Sequence, residues 1–362
     1  MGLALIFGTA GGAAIAALTG AARVESSYDR LLTSTNAPDL FVPATADAVV
    51  AQLGGTEIVQ DIRSVRAING PVLVTTDGRH LGPSTATPCQ TGEHEVAVAI
   101  APTRWGTEGW SPMLLHEGRP PDPNALEIAV PIGAAERVGL EVGDRLWLIA
   151  THCADERPVR LATPISVTVT GIGAGPLDVA APGVEAVLDI AVATPMLLTA
   201  LADDPAAGED VDDIAAVWLA DDARYGDLGP ASALVPPQLT VQERAETVRS
   251  ALRPDAMALR LLAVLVLVAG FTVLAQLLSR HLRETGTDGP LLAALGATPR
   301  ERWVHGLLHA AVVGIGASVV AVVVAIGLSS RVPRGIADAI EPRRVVVHPP
   351  TLVLGGFGLL VV

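Results

Sequence analysis

Apolar positions are not spread evenly along this chain; they gather in four blocks, 1–22, 261–278, 304–328 and 351–362. Leu261–Leu278 is an 18-residue run without a charge, and Val304–Leu328 is a 25-residue run without one. As helices rising about 1.5 Å per residue they reach about 27 Å and about 37 Å, against a hydrocarbon core of about 30 Å. Both predict membrane spans. The first block, Met1–Ala22, is rich in Gly and Ala and repeats a small residue every fourth position at Gly8, Gly12, Ala16 and Gly20, a spacing suited to close helix packing in lipid. A signal peptide is the alternative there, since Leu18–Ala22 offers small residues for cleavage. The absence of a basic leading region and the length of the run favour an uncleaved span. The fourth block, Thr351–Val362, is 12 residues and about 18 Å long, short of a span. The expectation is that the natural protein continues or that the chain is a fragment, trimmed before Met1 as well.

Between the first two blocks the pattern changes to short alternating runs broken by turn residues, the signature of a folded domain. Strands are predicted at 39–42, 57–68 and 71–75, with a helix at 46–53 ended by Gly54-Gly55 and a turn at Asn69-Gly70. Residues 94–190 read as mostly β, with strands at 95–100, 126–130, 145–150 and 165–169. Beyond them come a strand at 188–192, a helix at 195–201 and a strand at 215–219. An α+β domain at 23–257 with a β-rich insert at about 80–186 follows from this. Val241–Met257 is helical in composition and leads into the second span with Pro254 as its one breaker.

The remaining boundaries are a first transmembrane helix at 1–22, a second at 258–279, a loop at 280–303, a third span at 304–328, a loop at 329–350 and an incomplete fourth span at 351–362. Within the 280–303 loop, Pro290–Leu295 reads as a helical turn stopped by Gly296. Thr298, Pro299 and Glu301 then supply an N-cap, a Pro at N1 and the N3 acid of a capping box.

Charge changes the picture more than composition does. The chain is half apolar, with a mean hydropathy of +0.47. Residues 25–256 hold 33 Asp or Glu against 14 Arg, a net charge of −19, which makes nucleic acid a poor partner. All 24 basic residues are Arg. Without Lys there is no Walker A loop, no Schiff base and no Lys general base. Arginines do not orient the spans, because Arg280, Arg283, Arg300 and Arg302 on one loop are matched by Arg331, Arg334, Arg343 and Arg344 on the next. The acidic domain and its two cysteines favour placing 23–257 outside the cell membrane and the 280–303 loop inside. Cys89 and Cys153 are candidates for a disulfide in that oxidising compartment; two independent thiols is the alternative, and sequence leaves both open.

Candidate chemistry is sparse. There is no HExxH, GxSxG or CxxC, so no enzyme is expected, no cofactor and no metal. His305 and His309 share a helix face without a third ligand beside them, and the acidic loop around Asp203–Asp213 lacks the spacing of a calcium loop.

Four stretches resemble a known family. Leu291–Thr298, reading LLAALGAT, is similar to the LRALGAT turn after the second span of FtsX-like permeases of ABC transporters, with Leu292 where the family has Arg. Glu117–Asp122 and Gly139–Leu146 are similar to stretches of the outer domain in MacB-type and actinobacterial members, and Gly20–Arg30 to the exit from the first span. The resemblance implies FtsX-like transmembrane helices with a large α+β extracytoplasmic domain like the MacB periplasmic core. It implies a separate ABC ATPase docking on the 280–303 loop, a second permease copy or half, and a multi-pass place in the bilayer. The residues expected to meet the ATPase are Arg283, Glu284, Leu291, Leu292, Leu295, Gly296, Ala297, Thr298 and Arg300. The implied role is coupling ATP hydrolysis to movement of the outer domain, for export of a lipophilic or peptide-like substrate or for mechanotransmission. A membrane-anchored extracytoplasmic receptor without an ATPase is the alternative.

Overall fold

The computed structural model describes residues 2–53, 57–68, 72–81, 96–100, 110–149, 151–154, 157–160, 163–179, 189–202, 211–220, 223–228, 240–285, 298–329, 337, 340 and 341. The chain divides into two compact units, one built on Met1–Ser26 and Leu252–Asp338, the other on Ser27–Ala251 with Ala339–Pro342.

Three helices carry the first unit: α1 at Gly2–Thr35, α5 at Val241–Thr285 and α6 at Pro299–Ser329. All three contain a segment long and apolar enough to cross a membrane. Two of them run past the predicted spans. α1 continues 13 residues beyond Ala22, and α5 is a single 45-residue helix, about 68 Å long, that passes through Pro254 and extends to Thr285. Its last residues, Arg283 and Glu284 among them, are therefore helical where a loop from 280 was expected. α6 starts at Pro299, where the Thr298 capping signal placed it.

The helices meet through small residues. A Cβ on Gly8 would stand 2.4 Å from Val320 Cβ, and one on Gly12 would stand 2.5 Å from the carbonyl oxygen of Ala321, so both positions exclude any side chain. Ala317, Ala321 and Ala325 form the buried row of α6. Because Gly8 lies level with 317–320 and Gly12 with 321–324, α1 and α6 run in the same direction. α5 runs the opposite way: Ala14 and Ala17 cluster with Ala263, and Ala10 Cβ lies 3.1 Å from where a Cβ on Gly270 would be. An ion pair between Glu25 and Arg260 continues that antiparallel register. Among the described residues, Gly314 of α6 has open space where a Cβ would stand.

The second unit is one ten-stranded sheet with short helices on its faces. Its strands are β1 (Leu40–Val42), β2 (Val59–Ile68), β3 (Val72–Thr75), β4 (Val96–Ile100), β5 (Leu114–Gly118), β6 (Glu127–Pro131), β7 (Arg145–Ile149), β10 (Ile165–Ala174), β11 (Asp189–Ala193) and β12 (Val211–Leu219). The order is β1-β12-β2-β4-β11-β6-β10-β7-β3, with β5 paired to β10. A separate hairpin joins β8 (Thr151–Ala154) to β9 (Arg157–Arg160). The strands read as a β-rich insert thus interleave with those before and after them: β11 pairs parallel to β4 and antiparallel to β6.

Helices α3 (Ile132–Val138) and α4 (Pro195–Leu201) bury Ala134, Val138, Leu197 and Leu201 against Ile128, Val130, Leu146 and Val169. Nearer β12, α2 (Ala46–Leu53) packs Val49 and Leu53 against Leu40, Val217 and Leu219. Alternate residues of β12, Ala216 and Trp218, join Val65 and Trp110 in another cluster. Burial on both faces explains why 214–219 reads as a continuous apolar run instead of an alternating one.

Candidate functional site

The functional architecture lies where α1 ends and α5 begins, both on the sheet unit. α1 stops because Asn36 turns left-handed at φ 46°, a conformation Asn tolerates better than other side chains, and the Ala37 N–H then closes on the Leu32 carbonyl at 3.0 Å. Two further main-chain acceptors at this end are satisfied from the sheet unit. Ser111 N–H donates to the Thr35 carbonyl at 2.9 Å, and the Trp218 indole N–H donates to the Asn36 carbonyl at 3.0 Å. Trp218 is itself fixed by an edge-to-face contact with Trp110, centroids 5.8 Å apart, and by the Arg63 guanidinium 5.0 Å from its ring centre.

Asp39 joins the two helices. Its backbone N–H donates to the Val217 carbonyl at 2.9 Å, and its carbonyl accepts from the Val241 N–H at 2.9 Å, at the first residue of α5. One carboxylate oxygen accepts the Leu219 N–H at 2.8 Å; the other accepts from the Gln242 side-chain amide at 3.3 Å. Asp39, four residues past the end of α1, therefore ties the end of β12 to the start of α5.

A second grip is deeper. Tyr28 on α1 has no exposed surface, and its hydroxyl donates to the Pro176 carbonyl at 2.7 Å. Arg244, one turn into α5, is also buried and donates to the Val179 carbonyl at 2.5 Å. Both helices thus hold the turn that follows β10. Asp178 stiffens that turn by accepting from the N–H groups of Gly175 and Ile190, each at 2.9 Å. Outside this core, Arg249 of α5 forks onto Asp29 of α1 at 2.6 and 2.9 Å. A cavity of about 460 Å³ opens beside Asp39, walled by Arg224, Gln242, Glu246 and Arg249 over Leu32 and Val241.

The two motifs quoted from the sheet domain prove to be turns. Gly118 sits at φ 77°, and a Cβ there would stand 2.0 Å from the Thr170 carbonyl oxygen, so only glycine fits. Arg119 then forms a two-pronged pair with Glu127 at 2.6 and 2.7 Å, and the same carboxylate accepts the Asp122 N–H at 2.8 Å. This fork holds the Glu127 carboxyl below the usual carboxylate range, the Arg119 hydrogen bonds contributing most. In the Gly139–Leu146 stretch, Asp144 caps its own turn by accepting the Glu141 N–H at 2.9 Å, and Gly143 N–H reaches the Val169 carbonyl at 2.8 Å. Both stretches shape the sheet edge.

Of the residues expected to meet an ATPase, Leu291, Leu292, Leu295, Gly296 and Ala297 lie outside the described residues. Arg283 and Glu284 close α5; Thr298 and Arg300 open α6. The cysteine pair also lies outside them: Cys89 entirely, and the side chain of Cys153, whose backbone belongs to β8. The Tyr28, Asp39 and Trp218 contacts went unread in the sequence, each joining residues more than a hundred positions apart.

Three apolar helices long enough to cross a bilayer, two of them continuous with a hydrogen-bonded sheet domain, point to a membrane protein. Residues 260–362, from the apolar part of α5 through α6 and on to Val362, match the family model described as FtsX-like permease C-terminal, and over that stretch the chain is similar to FtsX-like permeases. No curated protein matches the chain.

Proposed function

We propose that the chain is the membrane subunit of an ABC transport system, driven by a separate ATPase that binds the 280–303 stretch on the cytoplasmic side. The sheet domain is then extracytoplasmic and corresponds to a MacB-like periplasmic core, and the subunit works beside a second permease copy or half. The family match supports this, since its range takes in the LLAALGAT turn at 291–298. So does the net charge of −19 on residues 25–256. The observation that carries it is mechanical: α1 and α5 each run as continuous helix from an apolar segment to hydrogen-bonded attachments on the sheet unit, and both hold the turn after β10, through Tyr28 and Arg244. A permease without a nucleotide site must receive force through a stiff cytoplasmic feature and pass it on through stiff elements. Movement of the outer domain would serve export of a lipophilic or peptide-like substrate, or force transmission to envelope proteins.

The test is affinity capture of the intact protein in detergent, with mass spectrometry of what accompanies it. An ABC ATPase is expected. Leu295→Glu with Gly296→Asp should remove the ATPase while leaving membrane insertion intact. Retention of the ATPase at wild-type yield by that variant would refute the docking role.

A further inference from the structure

Glutamate is almost never fully buried unless it is paired. Glu341 is 4% exposed, and its carboxylate accepts from the Arg30 guanidinium at 2.8 Å, across 311 positions of sequence. Ile340 beside it is likewise buried, at 2%. Chain contacts group Ala339–Pro342 with the sheet unit, although the chain before it, through Asp338, groups with the helices. Arg30 is not an arbitrary partner. It lies two residues beyond Tyr28, whose hydroxyl is fastened to Pro176, and one beyond Asp29, which Arg249 holds. This is the most constrained stretch of α1.

We infer that the Arg30–Glu341 pair is a third tether of the outer domain, fastening the chain beyond α6 to α1 so that the domain is held from α1, α5 and the α6 side together. The step from tether to coupling rests on the function proposed above; the geometry does not. The tether also settles an ambiguity in the sequence. Arginines balance on the two loops flanking α6, so they assign no sidedness. Glu341 paired to Arg30 puts the loop after α6 on the same face as the sheet domain, and if α6 crosses the bilayer, Pro299 lies on the other face. The matching directions of α1 and α6 agree with this.

Crosslinking of the full chain tests the tether. In a background carrying Cys89→Ser and Cys153→Ser, Arg30→Cys with Glu341→Cys should form an intramolecular disulfide in membranes, identified by mass spectrometry of the joined peptides. Arg30→Cys with Glu284→Cys should not. Failure of the first pair to join, in protein that inserts normally, overturns the inference. Glu341→Gln and Arg30→Gln, each keeping most of the side-chain volume, should raise hydrogen exchange at residues 340–341 at least tenfold. They should lower ATP-coupled turnover several-fold in the complex with the captured ATPase, without loss of ATPase association. Full coupled turnover in both variants would overturn the coupling role while leaving the proposed function intact. Failure of the wild-type protein to capture an ATPase, with the Arg30→Cys, Glu341→Cys variant still forming its crosslink, would refute the proposed function and uphold the tether.

Discussion

Trp218 and Asn36 meet at the point where the first helix ends, the indole N–H of one 3.0 Å from the carbonyl of the other. The indole supplies a donor that a helix terminus lacks, and it comes from the last strand of the sheet. Trp218→Phe keeps the ring packing on Trp110 and removes the donor, so it should cost about 1 kcal/mol, the net worth of one hydrogen bond. Trp218→Ala also empties the cluster and should cost about 3–5 kcal/mol. Denaturant titration of the purified protein in detergent, followed by circular dichroism, separates the two.

Asp39 predicts a more local effect. Asp39→Ala removes the acceptor for the Leu219 N–H and the Gln242 amide, while the backbone contacts to Val217 and Val241 remain. A hydrogen bond to a charged group contributes about 1.5–3 kcal/mol, and a loss in that range is expected. Hydrogen exchange should rise in the first turn of α5 and at 217–219 before it rises in β6 or β10. Uniform acceleration across the sheet would contradict this assignment.

The helix contacts make a steric prediction. Gly12→Val places two methyl groups where the carbonyl of Ala321 already stands, and Gly8→Leu collides with Val320. Overpacking of this kind costs about 1–3 kcal/mol. Gly314→Ala, in open space, should be silent. Detergent melting temperatures of the three variants provide the comparison.

The Arg119–Glu127 fork gives a pH dependence with a definite sign. The Glu127 carboxyl is held below its ordinary value when folded, by the Arg119 hydrogen bonds first and the Asp122 N–H among the other causes. Its contribution is therefore complete above the unfolded carboxylate value of about 4.3 and is lost as pH falls through the lower folded value. Melting temperature should fall on acidification below about pH 4.5, and Glu127→Gln should flatten that arm and leave the neutral value lower than wild type.

Much of this architecture was legible because local rules wrote it. Charge-free runs marked the helices, Thr298-Pro299 marked the start of α6, and α2 and α4 fell at the residues their patterns gave. α3 escaped because seven residues with a Gly and two β-branched side chains barely register as a helix. β5 escaped because only Leu114 and Leu115 carry it before Glu117-Gly118. The sheet order was out of reach in a different sense. Nothing local in Asp189–Ala193 says that it will lie between β4 and β6, which are themselves some thirty residues apart. The joint at Asp39 was illegible for the same reason, since its partners are at 217, 219, 241 and 242.

That long-range closure has a consequence for synthesis. β1 emerges early, yet its register partner for Leu40 is Val217, and the helix beside it waits for Trp218. At about 5–20 residues per second, a ribosome needs roughly 10–35 s to supply them. Through that interval a newly made Leu40–Val42 has an open edge and α1 an unsatisfied end, so maturation of this protein depends on what shelters the half-made chain until its latest strand arrives.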